Sequence, residues 1–151
     1  MLLIAACNSE ALPEAKDTKI DDINVTIERI VLTVKSTKVA PASHEAMARE
    51  NIAQQIPDIL TKANIKNVNK QGIDAIATLL EDDDDIVRLH AADALGFIGA
   101  PAKYTIPALR KALDKEIQEV ACKTAPNGFC DFRTGWDSSD VIPEVIAKLN
   151  Q

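Results

Sequence analysis

Glycine and aromatic residues are both scarce in this chain of 151 residues, which holds five Gly, three Phe, one Tyr and one Trp. A core without large rings must be built from Ile, Leu, Val and Ala, and the 46% hydrophobic content supplies enough of them for one domain. Such side chains suit closely packed helices. No apolar run approaches the ~20 residues that a membrane-spanning helix needs. Cations are also short, with 17 Lys and Arg against 23 Asp and Glu and a net charge of −6. That balance argues against a broad nucleic-acid surface, which requires clustered Lys and Arg to neutralise phosphates. Only two histidines occur, His44 and His90, without a Ser or Cys nucleophile in a recognisable setting. They form no triad or metal motif, so neither a catalytic residue nor a cofactor is expected. The three cysteines lack a neighbouring His, and a zinc site normally takes four ligands.

What is present is a repeat. The string Gly72-Ile-Asp-Ala-Ile-Ala-Thr-Leu-Leu-Glu-Asp superposes on Thr105-Ile-Pro-Ala-Leu-Arg-Lys-Ala-Leu-Asp at a spacing of 33 residues, Ile73 on Ile106, Ile76 on Leu109 and Leu80 on Leu113. A third string, Val141-Ile-Pro-Glu-Val-Ile-Ala-Lys-Leu, follows 36 residues later. A unit of this length reads as a helical hairpin that cannot bury its own apolar face and must lean on the next copy. The fold class is therefore all-α, an α-α superhelix of six or seven helices. An architecture of this kind predicts a binding scaffold more readily than an enzyme.

Between the first two strings stand the aspartates Asp82 to Asp85, then Val87-Arg88, Ala91-Ala92, Ala94-Leu95-Gly96 and Ile98-Gly99. This order resembles the HEAT repeats, specifically the short bacterial HEAT-like type, closely over residues 72–114, more weakly over 115–151 and most weakly over 43–66. The resemblance implies a short right-handed solenoid of about three repeats, engaged in protein–protein interaction. With the acidic balance setting nucleic acid aside, the expected partner is a protein and the expected state a monomer. Some HEAT-like relatives are pigment-lyase-type enzymes and others bind nucleic acid, and these remain the alternatives. It also implies that Arg88 pairs with turn carboxylates, Asp83 and Asp85 among them, to tie adjacent repeats together. The expected groove is lined by the second helices, around Asp74, Thr78, Lys103 and Arg110.

At the N-terminus Ile4-Ala5-Ala6-Cys7 resembles the bacterial lipobox, with Cys7 as the lipidated residue and a polar tether after it. The basic and apolar stretch that should precede it is absent from the six residues before Cys7, so the match is either a signal remnant or chance. On the first reading, residues 1–18 are lipobox and linker, residues 19–151 are the helical-repeat domain, and the location is the bacterial periplasm, with the membrane reached only through the lipid. The alternative is a cytoplasmic protein. An oxidising periplasm would suit a disulfide between Cys122 and Cys130, which a Pro126-Asn127-Gly128 turn could bring together; two reduced thiols are the other reading.

Along the chain, Ile20, Ile23, Ile27, Ile30, Val31 and Val34 have helical spacing, although the β-branched content also permits a strand from Asn24 to Lys35. Ser43 is placed to cap the next helix, and Pro57 predicts a kink or split near Gln55. Asp82 to Asp85 supply a turn and an N-cap, and Gly99 is the candidate C-terminal stop. A helix from Ala102 or Ile106 should end at Leu113, and Pro107 and Pro143 should fall in first turns. The aspartate run lacks the alternation, central Gly and distal Glu of an EF-hand, so it reads as a turn and not a calcium loop. Glu45, Glu50, Asp74 and Asp93 read as surface charges, with Asp93 in reach of the next repeat's turn. An insertion at 126–138 gathers Phe129, Phe132 and Trp136 beside Arg133. Such side chains dominate interface hot spots, so the loop is either a partner-binding surface or a cover for the end of the stack.

Overall fold

The computed structural model describes residues 22–37, 44–62, 65–123 and 138–151, and among these every regular element is helical. They contain six α-helices: α1 (Ile23–Ser36), α2 (His44–Lys62), α3 (Lys70–Ala77), α4 (Asp85–Ile98), α5 (Ile106–Lys123) and α6 (Ser138–Leu149). Shorter 3₁₀ turns at Ile65–Asn67, Thr78–Glu81 and Ala100–Thr105 join or extend them. The β-branched segment near the N-terminus is α1. Asp22 caps it by accepting from the Asn24 backbone N–H, and Ile23, Ile27, Ile30, Val31 and Val34 turn inward along one face.

The helices form two layers. In one layer, α1 packs on α3, and α3 with its 3₁₀ extension meets Ala100–Thr105 and α5. In the other, α2 packs on α4 and α4 on α6. Consecutive helices α1/α2, α3/α4 and α5/α6 cross between the layers as three hairpins. The core lies where the layers meet, and α4 is its central rod: Val87, Ala91, Ala92, Ala94 and Leu95 have no exposed surface. Three alanines on one helix let both neighbours approach its backbone. Gly96 takes this further, since a Cβ there would stand 3.0 Å from Val145 Cγ2 of α6.

The first hairpin is fastened to the second by Asn24, a buried polar residue of α1. Its Nδ2 donates to the Asn67 carbonyl at 3.0 Å, and its Oδ1 accepts from the Asn69 N–H at 2.9 Å. Asn69 in turn caps α3 by accepting from the Gly72 N–H at 3.0 Å. A side chain at Gly72 would collide with this arrangement, its Cβ falling 2.7 Å from Asn24 Oδ1. At the end of α4, Gly99 adopts φ 74°, the left-handed conformation open to glycine at little cost, and its N–H closes on the Leu95 carbonyl.

Several sequence expectations are corrected. The α2 helix is not split near Gln55 but continues through Pro57; the missing N–H costs one backbone bond, while Ala53, Ile56 and Leu60 are wholly buried by keeping the helix continuous. Pro143 lies inside α6, beyond its first turn. The α5 helix does not stop at Leu113 but continues to Lys123, because Asp114 to Lys123 contain good helix formers and no breaker. That continuation removes one chain reversal, and each reversal changes layer. Ile73 and Ile106 therefore share a layer, whereas Ile142 on α6 stands in the other, beside α4. The third string repeats the sequence pattern without occupying the equivalent place in the stack.

Candidate partner-binding surface

Two sets of polar side chains stand out, and they do different work. The first surrounds the acidic turn before α4. Asp84 is the N-cap residue, its Oδ1 accepting from the N–H groups of Ile86 and Val87 at 3.0 and 3.3 Å. Arg49 of α2 pairs with the Asp82 carboxylate, approaches Asp84 Oδ2 to 3.8 Å and donates to the Val34 carbonyl at 2.9 Å. Lys115 of α5 donates to Asp83 Oδ1 and to the Asp82 carbonyl, both at 2.9 Å. Its ammonium holds the Asp83 carboxyl below the ordinary range, first through that hydrogen bond and then through charge.

Arg88 has no exposed surface. Its Nε pairs with the buried Glu116 carboxylate of α5 and its Nη1 donates to the Asp82 carbonyl at 2.6 Å. Arg88 thus meets the turn at the Asp82 carbonyl and pairs across to α5, while Arg49 engages the carboxylate of Asp82 and Lys115 that of Asp83. Asp85 is the first residue of α4 and is half-buried. Sequence reasoning missed Arg49, Lys115 and Glu116, since each lies on another helix and nothing local marks it. The whole turn acts as a brace linking α1, α2, α4 and α5.

The second set is a seam on the open side of α4 and α6. Leu89, Asp93, Gly96 and Phe97 contribute from α4, and Val141, Glu144, Val145 and Lys148 from α6, enclosing a groove of about 440 Å³. Each group recurs at three- and four-residue intervals, which puts it on one helix face. The floor is aliphatic. Phe97 is 42% exposed, and Lys148 Nζ sits 6.0 Å from its ring centre.

Asp93 is half-buried in this groove and, among the described residues, has neither a hydrogen bond nor an ion pair. It faces α6 and does not bond to a turn. Burial raises its carboxyl above the ordinary range, against the opposing charges of His90 and Lys148. Burial likewise lowers the imidazole of His90 one turn earlier, against the carboxylates of Asp93, Asp58 and Asp84. The groove is open, and among the described residues no hydroxyl, thiol or imidazole lines it. Its chemistry suits binding: an apolar floor with two carboxylates and one ammonium at the edge.

The groove expected on the second helices is occupied differently. Asp74 accepts from Lys70 Nζ at 2.6 Å and from Tyr104 Oη at 2.8 Å, which lowers its carboxyl and raises the Tyr104 phenol to about 12, there chiefly through burial. Thr78 bonds back to the Ala75 carbonyl, Lys103 reaches the Asn150 carbonyl at 3.5 Å, and Arg110 is exposed. Cys7, Phe129, Cys130, Phe132, Arg133 and Trp136 lie outside the described residues, as does the side chain of Cys122 near the end of α5. Among the described residues no group of His, Cys, Asp and Glu is arranged to hold a metal ion, and no helix is long and apolar enough to cross a membrane.

A family model described as HEAT repeats matches residues 42–125, which span α2 to α5. No curated protein and no solved structure matches the chain.

Proposed function

Since the chain belongs to the HEAT-repeat family, we propose that it is a non-enzymatic protein–protein interaction scaffold, a rigid stack that presents side chains in fixed register to a partner. The observation that carries this reading is the contrast between the two polar sets. Charges at the acidic turn are consumed internally, whereas the α4–α6 seam leaves Phe97 and Glu144 exposed and Asp93 half-buried around an apolar floor. Patches of that composition, apolar at the centre and charged at the edge, are what recognition surfaces bury.

The proposed setting is the bacterial periplasm, with the domain tethered by lipid on Cys7. Support comes from the small residues Ala5 and Ala6 and from Ile4 at the third position before Cys7. A disulfide between Cys122 and Cys130 and a contact role for Phe129, Phe132, Arg133 and Trp136 belong to the same proposal.

Photo-crosslinking tests the scaffold reading. A benzoylphenylalanine introduced separately at Phe97 and at Tyr104, one in each exposed face, should yield a discrete protein adduct in cells from at least one position. Absence of adducts from both would overturn it. Mass spectrometry of the mature N-terminus tests the tether, which an unmodified chain starting at Met1 would refute.

A further inference from the structure

We propose that the α4–α6 seam receives a basic segment of a partner protein, one apolar side chain lying on the floor and a neighbouring Lys or Arg meeting Asp93. The inference rests on the scaffold reading above and specifies the chemistry of the partner.

Three observations converge. First, the floor formed by Leu89, Val141 and Val145, with Phe97 beside it, offers an aliphatic and aromatic surface that water wets poorly. A volume of about 440 Å³ accepts one or two side chains, not a folded domain. Second, Asp93 carries a desolvated carboxylate with no hydrogen bond or ion pair among the described residues. A partly buried charge without a direct ion pair is costly, and a cation brought into contact by a ligand recovers part of that cost. Lys148 offsets that cost only in part: its charge opposes the rise of the Asp93 carboxyl through space, but among the described residues the two form no ion pair, and its ammonium lies near the Phe97 ring. Third, Glu144 adds a second exposed carboxylate to the rim, and the chain as a whole carries −6, so the field around the seam favours a cationic approach.

Gly96 gives the site its depth. With no side chain there, α4 and α6 close to 3.0 Å between the Cβ position and Val145 Cγ2, and the floor between Asp93 and Phe97 stays open. Rigidity follows, because α4 is anchored at its start by the acidic turn and along its inner face by the core.

The test uses two fluorescein-labelled peptide libraries of ten residues with a fixed central Leu, one carrying Arg and the other Glu at the third positions on either side. Fluorescence anisotropy with the full chain should show binding of the Arg library and not of the Glu library, weakening as salt rises. Asp93→Asn should reduce binding by about tenfold or more, the effect of removing one charge-assisted hydrogen bond. Asp74→Asn, on the opposite layer, should leave it unchanged. Thermal unfolding of Asp93→Asn reports on folding, and at neutral pH that variant should melt no lower than the parent. Equal binding of both libraries, or full binding by Asp93→Asn, would overturn the proposal. So would concentration-dependent self-association that Phe97→Ser abolishes, which would make the occupant a second copy of this chain. A crosslink at Tyr104 with none at Phe97 would refute the seam while sparing the scaffold reading.

Discussion

Replacing Arg88 by Met should be the most damaging single change on the structure, and its size can be worked out. The guanidinium has no solvent exposure, pairs with a Glu116 carboxylate that is 5% exposed, and donates to the Asp82 carbonyl. Met fills comparable volume, so little cavity is created. What remains is a buried carboxylate without its counter-ion and a turn carbonyl short of one of its two donors, Lys115 being the other. Breaking a buried ion pair on one side costs about 3–5 kcal/mol. Against a typical total of about 5–15 kcal/mol, that is a large fraction. With a urea m-value of about 2 kcal/mol/M for a domain of this size, the midpoint should fall by about 1.5–2.5 M. The double variant Arg88→Met with Glu116→Leu removes both charges and should recover most of the loss, since a buried pair can often be exchanged for packed apolar side chains. The exposed pair Lys111–Glu81 is the control, and Lys111→Ala should not move the midpoint measurably. A loss under about 1 kcal/mol for Arg88→Met, or no recovery in the double variant, would refute the view that this pair braces α4 against α5.

Three further outcomes are expected. Gly96→Leu should destabilise by about 1–3 kcal/mol through overpacking against Val145, and Val145→Ala in the same chain should restore part of it; additive losses would count against direct contact. Asn24→Ala should cost about 1–3 kcal/mol and speed hydrogen exchange at the Asn69 amide, which then has no acceptor; unchanged exchange would show that α1 is not held by this bond. The pH dependence has two opposite components. The raised Asp93 carboxyl contributes stability that is complete below the unfolded value near 3.8 and is lost as pH rises through the folded value, while the lowered His90 imidazole contributes stability present above 6.5 and lost as pH falls through its folded value. Urea midpoints of Asp93→Asn should therefore gain on the parent as pH increases from about 3.5 to about 6. A constant offset across that range would contradict the burial of its charge.

Local features of the chain determined a good deal. Thirty-three-residue spacing, helical periodicity, the aspartates before α4 and Gly99 after it are written in the sequence because caps, stops and apolar faces depend on residues within a few positions of one another. The HEAT-repeat family match over residues 42–125 covers those same features. Pro57 misled for a physical reason: a breaker costs a fixed few kcal/mol, and whether the helix stops depends on what burial it would forgo, which lies outside the local window. Leu113 misled because the repeated string ends there, whereas the helix-forming residues after it do not.

Tertiary structure alone decided the layer of α6, because it depends on whether α5 is one helix or two, and parity of reversals is not a property of any short segment. It alone paired Arg88 with Glu116 and gathered Arg49 and Lys115 around one turn, since these side chains are separated by tens of residues and only packing brings them within reach. The α4–α6 seam belongs to the same class. Asp93 looks like a surface charge in sequence, and becomes a half-buried carboxylate only because Gly96 and Val145 let a second helix settle against the first.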